Sequence, residues 1–272
     1  MPLPSDHAMP AVTHIFLLIQ NTHQAVDKKT VMAIATYAAF SVVLPLLLGT
    51  LGIRKLTPAL RCLLLLLAFA LFTEAAGLIL GRGDQPNLWI YNTYTAVEYS
   101  LLIIMFVFLL DGKLFRRVLL ASIPLFIVIW VLATLNLEKS DPFHGVFLSI
   151  ESVVFAILAV ATLVKEMRDS STLLVDNPIF WVSAGVLVYF AGNLLVFAFI
   201  DKLLQTTLKN SEVGMYSGWL IHTAMNVSKN ILFAIGFLST GGPSNALRPI
   251  MQFFRRTFQR VKPTIPAARS GK

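Results

Sequence analysis

Charge is scarce in this chain: Asp, Glu, Lys and Arg make up 13% of its 272 residues, against about a quarter in an ordinary soluble domain. That scarcity excludes a water-soluble globule. Cysteine is nearly absent too, and a lone Cys62 rules out an intrachain disulfide or a cysteine-built metal site. There is no HExxH, no GxSxG and no close pair among the five histidines, so the common zinc-hydrolase and serine-hydrolase signatures are missing. Long polar connections are lacking as well. The longest, between the last two apolar runs, has about fourteen residues, too few for a soluble catalytic or binding domain.

What is present is apolar residue in bulk, 56% of the chain. Seven runs reach the roughly twenty residues that a bilayer crossing needs: 31–51, 62–80, 88–110, 118–137, 143–164, 178–200 and 215–238. Each is bounded by charge, Gly or Pro. The composition predicts an all-α, polytopic seven-helix transmembrane bundle over 31–240, preceded by an extracytoplasmic segment, 1–30, and followed by a basic tail, 241–272. Ala11–Ile19 is too short to span and lacks a basic flank, so it reads as an interfacial or disordered segment and not as a signal peptide.

Basic residues set the expected orientation. One side collects Arg54, Lys55, Arg61, Lys113, Arg116, Arg117, Lys165, Arg168 and seven tail residues, fifteen against six on the other side. The positive-inside rule places that side in the cytoplasm and the N-terminus outside. The net charge of +8 therefore reads as topology and headgroup contact, with no nucleic-acid partner. In the tail, Leu247, Ile250, Met251, Phe254, Phe258 and Val261 recur at helical spacing among Arg248, Arg255, Arg256, Arg260 and Lys262. That pattern fits an amphipathic helix on the anionic inner leaflet; recruiting a cytoplasmic protein is its alternative role.

Ionisable side chains deep in a bilayer cost at least about 2.5–3.5 kcal/mol each, which makes them functional candidates. Five lie inside the runs: Glu74, Glu98, Glu151, His222 and Lys229. At 1.5 Å of rise per residue the three carboxyls and the histidine fall about 9–15 Å below the outer ends of their helices. Lys229 lies deeper, but helical side chains lean toward the N-terminus, which carries its ammonium back toward the carboxyls as a counter-ion. Tyr91, Tyr94, Thr95 and Glu98 share one helix face; so do His222, Asn226, Lys229 and Asn230. Span six contributes Gly185, Tyr189, Gly192 and Asn193, and Glu74 precedes a Gly77–Gly81 GxxxG pair that favours close helix contact.

The expected ligand or ion pocket is thus Glu74, Glu98, Glu151, His222, Lys229, Tyr94, Asn193 and Asn226, with Glu98, Glu151 and His222 as candidate metal ligands. Structural alternatives stand beside it: a protonated Glu98 bonded to Tyr94, a His222 that only packs, a Lys229–Glu ion pair that fixes register. Spans one and four carry no ionisable residue in their cores and are expected to face lipid as scaffold. Trp89, Tyr91 and Trp181 are expected at the membrane interface as an aromatic belt.

Three functions compete: a sensor- or receptor-like protein binding a small ligand or ion, a metal-dependent lipid-modifying enzyme, and a proton- or cation-coupled carrier. Lys229 also suits a retinal Schiff base of the rhodopsin-like kind with Glu98 as counter-ion, although nothing else in spans three or six resembles a retinal pocket. Glu74, Tyr94 to Glu98, Glu151, Asn177-Pro178-Ile179-Phe180-Trp181 and Lys229-Asn230 together resemble seven-helix bacterial inner-membrane proteins. The resemblance implies a location in the bacterial inner membrane and a span count, and names no activity, cofactor or catalytic residue.

Overall fold

The computed structural model describes residues 28–82, 88–137, 145–169, 174–206 and 212–240; the N-terminal segment and the basic tail lie outside them. The described residues are helical and contain no strand. The helices are α1 (Lys28–Ala39), α2 (Val43–Leu51), α3 (Pro58–Arg82), α4 (Leu88–Leu109), α5 (Lys113–Leu137), α6 (Gly145–Asp169), α7 (Pro178–Thr206) and α8 (Glu212–Ser239).

Local chemistry sets the ends and joints. Pro45 has no N–H to give the Ser41 carbonyl four residues back, and the chain tightens just there into a 3-10 turn, Phe40–Val42, joining α1 to α2. Pro178 opens α7 at the first helical position, where its missing N–H costs nothing, and the Asn177 Oδ1 accepts the Ile179 N–H at 2.9 Å as the N-cap. Between α4 and α5, Gly112 takes φ 109°. A residue without Cβ adopts that left-handed conformation without strain and lets the chain reverse.

Packing arranges most helices in a ring. α2 lies against α3, α3 against α4, α4 against α6, α6 against α7, α7 against α8, and α8 closes on both α1 and α2. α5 stands outside, packed on α4 through Tyr99, whose ring stacks on Phe126 at 3.9 Å and whose hydroxyl donates to the Ser122 Oγ at 3.1 Å. Leu114, Val118, Leu125 and Leu132 of α5 are exposed, as a lipid-facing span requires. Span one departs from that expectation. Its Val42, Pro45 and Gly49 are buried, and the Asn230 Nδ2 of α8 donates to the Ser41 Oγ at 2.8 Å, so this span is part of the wall.

Among the described residues four helices are long and apolar enough to cross a membrane: Pro58–Leu80, Trp89–Leu109, Lys113–Leu132 and Pro178–Leu195. α6 and α8 are also of spanning length, and they carry Glu151, Lys165 and Glu166, and His222, Asn226, Lys229 and Asn230.

Candidate functional site

Three close approaches fix the register of antiparallel α7 and α8. Gly192 lies against Met225, Gly185 against Phe233, and Gly236 against Val182. Midway between the first two, Tyr189 and Lys229 fall opposite each other, and the Lys229 Nζ sits 3.6 Å from the centroid of the Tyr189 ring. This is a cation–π seat in a buried setting, the geometry in which such contacts are strongest.

One turn along, Asn193 joins two helices. The His222 Nδ1 donates to its Oδ1 at 2.9 Å, and its amide also bonds the Tyr189 hydroxyl. Tyr189 and His222 rings lie 5.7 Å apart. On the opposite wall each of two carboxyls has a tyrosine hydroxyl. Tyr94 donates to the Glu98 Oε1 at 3.2 Å, four residues along the same helix, while Tyr91 of α4 bonds Glu74 of α3. Glu151 of α6 is 1% exposed, and its Oε1 has no hydrogen-bond partner among the described residues. Glu98 and Lys229 are buried with it, and Glu74 and His222 are half-buried.

Lys229 lies in the electrostatic field of Glu98, Glu74 and Glu151, and Glu98 and Glu151 act on each other. Glu74, Glu98 and Glu151 thus lie within electrostatic reach of Lys229, with Tyr94 bonded to Glu98 and His222 bonded to Asn193 beside them. Asn226 lies half-buried on the face shared by His222 and Lys229. The expected counter-ion geometry is different: among the described residues Lys229 is in direct ion pair with none of the three carboxyls, and its ammonium rests on the ring of Tyr189. Nor do Glu98, Glu151 and His222 form a metal site. Among the described residues no group of three or more His, Cys, Asp and Glu side chains could hold a metal ion, and His222 turns to Asn193.

No protein-family model matches this chain, and no curated protein and no solved structure is similar to it.

The site occupies one end of the bundle. Beyond it toward the other end, Phe155 packs against Tyr99, Phe106 and Phe190 with ring centroids 5.4, 6.1 and 4.9 Å away, and Leu102, Ile103, Val186 and Phe233 are buried around them. Among the described residues this layer buries no acid, lysine or histidine. The arrangement is a cluster of polar side chains bordered on one side by an aromatic plug.

Tyr189 is the residue that helix-face spacing undervalued. It shares a face with Gly185 and Asn193 in the sequence, but its role as the ammonium's seat depends on the register between two helices. Ser41 gave no sequence signal at all. Two belt assignments change: Trp89 is exposed, but Trp181 is buried and its Nε1 donates to the Val175 carbonyl at 2.8 Å, pinning the turn before α7, and Tyr91 is half-buried and engaged with Glu74.

Proposed function

We propose that this chain is an integral membrane protein of seven spans, with its N-terminus outside and its C-terminus cytoplasmic, whose polar intramembrane pocket binds a small ligand or ion in the manner of a sensor or receptor. The observation that carries the reading is the Oε1 of Glu151, which is buried and has no hydrogen-bond partner among the described residues, as is also true of the Asn230 Oδ1 and the Ser183 Oγ. A buried carboxyl oxygen without a donor is costly, and a ligand that brings a donor removes the cost.

The aromatic plug favours binding over transport. A proton- or cation-coupled carrier needs a way past Phe106, Phe155, Phe190 and Phe233. A metal-dependent lipid-modifying enzyme needs a ligand set, and the described residues offer none. Basic residues at the plug end, Arg54, Lys55, Lys113, Arg116 and Lys165 among them, support placing that end in the cytoplasm, with the chamber in the outer half of a bacterial inner membrane. The basic tail would then rest on anionic headgroups, with a cytoplasmic protein as its other partner.

The test uses the protein's single cysteine. With Cys62 replaced by Ala, a thiol is introduced at His222 or at Phe155 and treated with a small water-borne thiol reagent. The expected result is labelling of His222→Cys and protection of Phe155→Cys. If both thiols stay unlabelled, the chamber is closed to solutes and the binding reading fails.

A further inference from the structure

The proposed pocket has a chemical preference, and this inference rests on the reading of it as a binding site. Three carboxyls, Glu74, Glu98 and Glu151, share one ammonium, Lys229. Two of the carboxyls already receive a tyrosine O–H. The third, Glu151, has a buried oxygen that receives nothing. What is missing is a hydrogen-bond donor, and acids outnumber bases.

The seat of Lys229 shows what kind of cation suits these walls. An ammonium in direct ion pair would sit against a carboxylate; here it sits over the face of Tyr189 at 3.6 Å with the carboxyls around it. Such a site has the makings of an ammonium receptor, aromatic face on one side and acids on the others. A metal cation needs several converging oxygen ligands, and among the described residues no such group exists.

We propose that the pocket takes a small organic ammonium, whose N–H donates to the free oxygen of Glu151 while its charge balances Glu151 and Glu98 beside the resident ammonium of Lys229. Two sources offer this chemistry, a free primary amine and the ethanolamine headgroup of a lipid. A quaternary ammonium has the charge without the N–H and does not satisfy Glu151.

The experiment measures the melting temperature of the full chain in detergent while ethylammonium chloride is titrated, with sodium chloride and ethanol as controls for ionic strength and for an uncharged molecule of similar size. A ligand that binds only the folded form raises the melting temperature saturably. The expected result is such a rise with ethylammonium alone, with apparent affinity weakened about tenfold or more in Glu151→Gln, since a charge-assisted bond becomes a neutral one. Asp111→Asn, at the other end of the bundle, should respond as wild type does. A second arm adds an ethanolamine-headed lipid against a choline-headed lipid with the same chains; a rise with that lipid and none with ethylammonium assigns the headgroup as the source.

No rise in either arm, an equal rise with ethanol or the choline lipid, or an unchanged affinity in Glu151→Gln overturns the proposal. The wider binding reading fails separately. If neutral or anionic solutes raise the melting temperature and ammonium does not, the pocket stands and its ammonium preference is wrong; if His222→Cys is closed to reagent as well, both fall.

Discussion

Tyr189 holds two jobs in one side chain, a ring face for the Lys229 ammonium and a hydroxyl bonded to Asn193. Substitution separates them. Tyr189→Phe keeps the face and loses the hydroxyl, a cost of about 1 kcal/mol for a side-chain hydrogen bond within α7. Tyr189→Leu loses both, and the desolvated cation–π contact adds about 2 kcal/mol. Reversible unfolding in mixed micelles should therefore rank wild type, Phe and Leu in falling order of stability. Equal stability of the two variants would show that the ring face contributes nothing. Tyr94→Phe isolates the bond to Glu98 within α4 in the same way and should weaken the fold by about 1 kcal/mol.

The helix faces of α4 and α8 were legible residue by residue. Tyr94 and Glu98 stand four positions apart in the sequence and His222 and Lys229 seven, and helical geometry alone puts each pair on one side. The partners across helices were not. Nothing in the spacing of Tyr91 and Glu74, or of Ser41 and Asn230, states that they meet, because contact between helices depends on crossing geometry and relative depth. Trp181 misled for the same reason: a tryptophan near a helix end reads as interfacial until a neighbouring turn is seen to accept its N–H.

Between elements, the close approach of α7 and α8 depends on small residues, and the neighbour decides the cost of enlarging them. A Cβ on Gly185 would meet the Phe233 ring at 2.8 Å, and Phe233 is buried, so Gly185→Ala is expected to cost about 1–3 kcal/mol as overpacking. On Gly192 the Cβ would meet the Sδ of Met225 at 2.6 Å. A thioether is flexible, and Gly192→Ala should cost less. Thermal unfolding of the two variants checks the order. Should Gly192→Ala be the worse, the α7–α8 register is other than described.

A different joint lies at the end of α4. The Lys165 Nζ donates to the Leu109 carbonyl at 2.9 Å and pairs with Asp111, while the Arg116 Nε donates to the Leu110 carbonyl at 3.2 Å. Cations thus cap the last carbonyls of α4 from α5 and α6, as the helix dipole favours. The hydrogen bond from Lys165, and then its charge, hold the Asp111 carboxyl below its ordinary value. A carboxyl lowered on folding contributes stability above its unfolded pKa and loses it as pH falls through the folded one. Wild type should lose this contribution on acidification below the ordinary carboxylate range. Asp111→Asn should lack that part of the pH dependence, and because Asp111 is exposed, salt should shrink the difference. Matched pH titrations of thermal stability at low and high salt would expose an error in either expectation.

Across the whole molecule, one end gathers titratable groups and the other an aromatic plug with cationic caps. If the plug end is cytoplasmic, a thiol at Asp111 in a Cys62→Ala background should react with an impermeant reagent in inside-out vesicles and be protected in intact cells. The reverse pattern would invert the proposed orientation and place the chamber in the inner half of the membrane.

That the chain is helical and membrane-like, where its helices lie and which polar residues share a helix face were all legible in the amino-acid order, because these depend on composition, run length and a 3.6-residue period. Tertiary structure decided the rest. Span one joins the wall while span four stands outside, Lys229 rests on Tyr189 without pairing directly with a carboxyl, and Glu151 is left with a free oxygen. The physical reason is that apolar helices in lipid gain little from hydrophobicity in choosing neighbours; close fit at Gly185, Gly192 and Gly236, and hydrogen bonds such as Asn230 to Ser41, set the register, and register decides which polar groups meet.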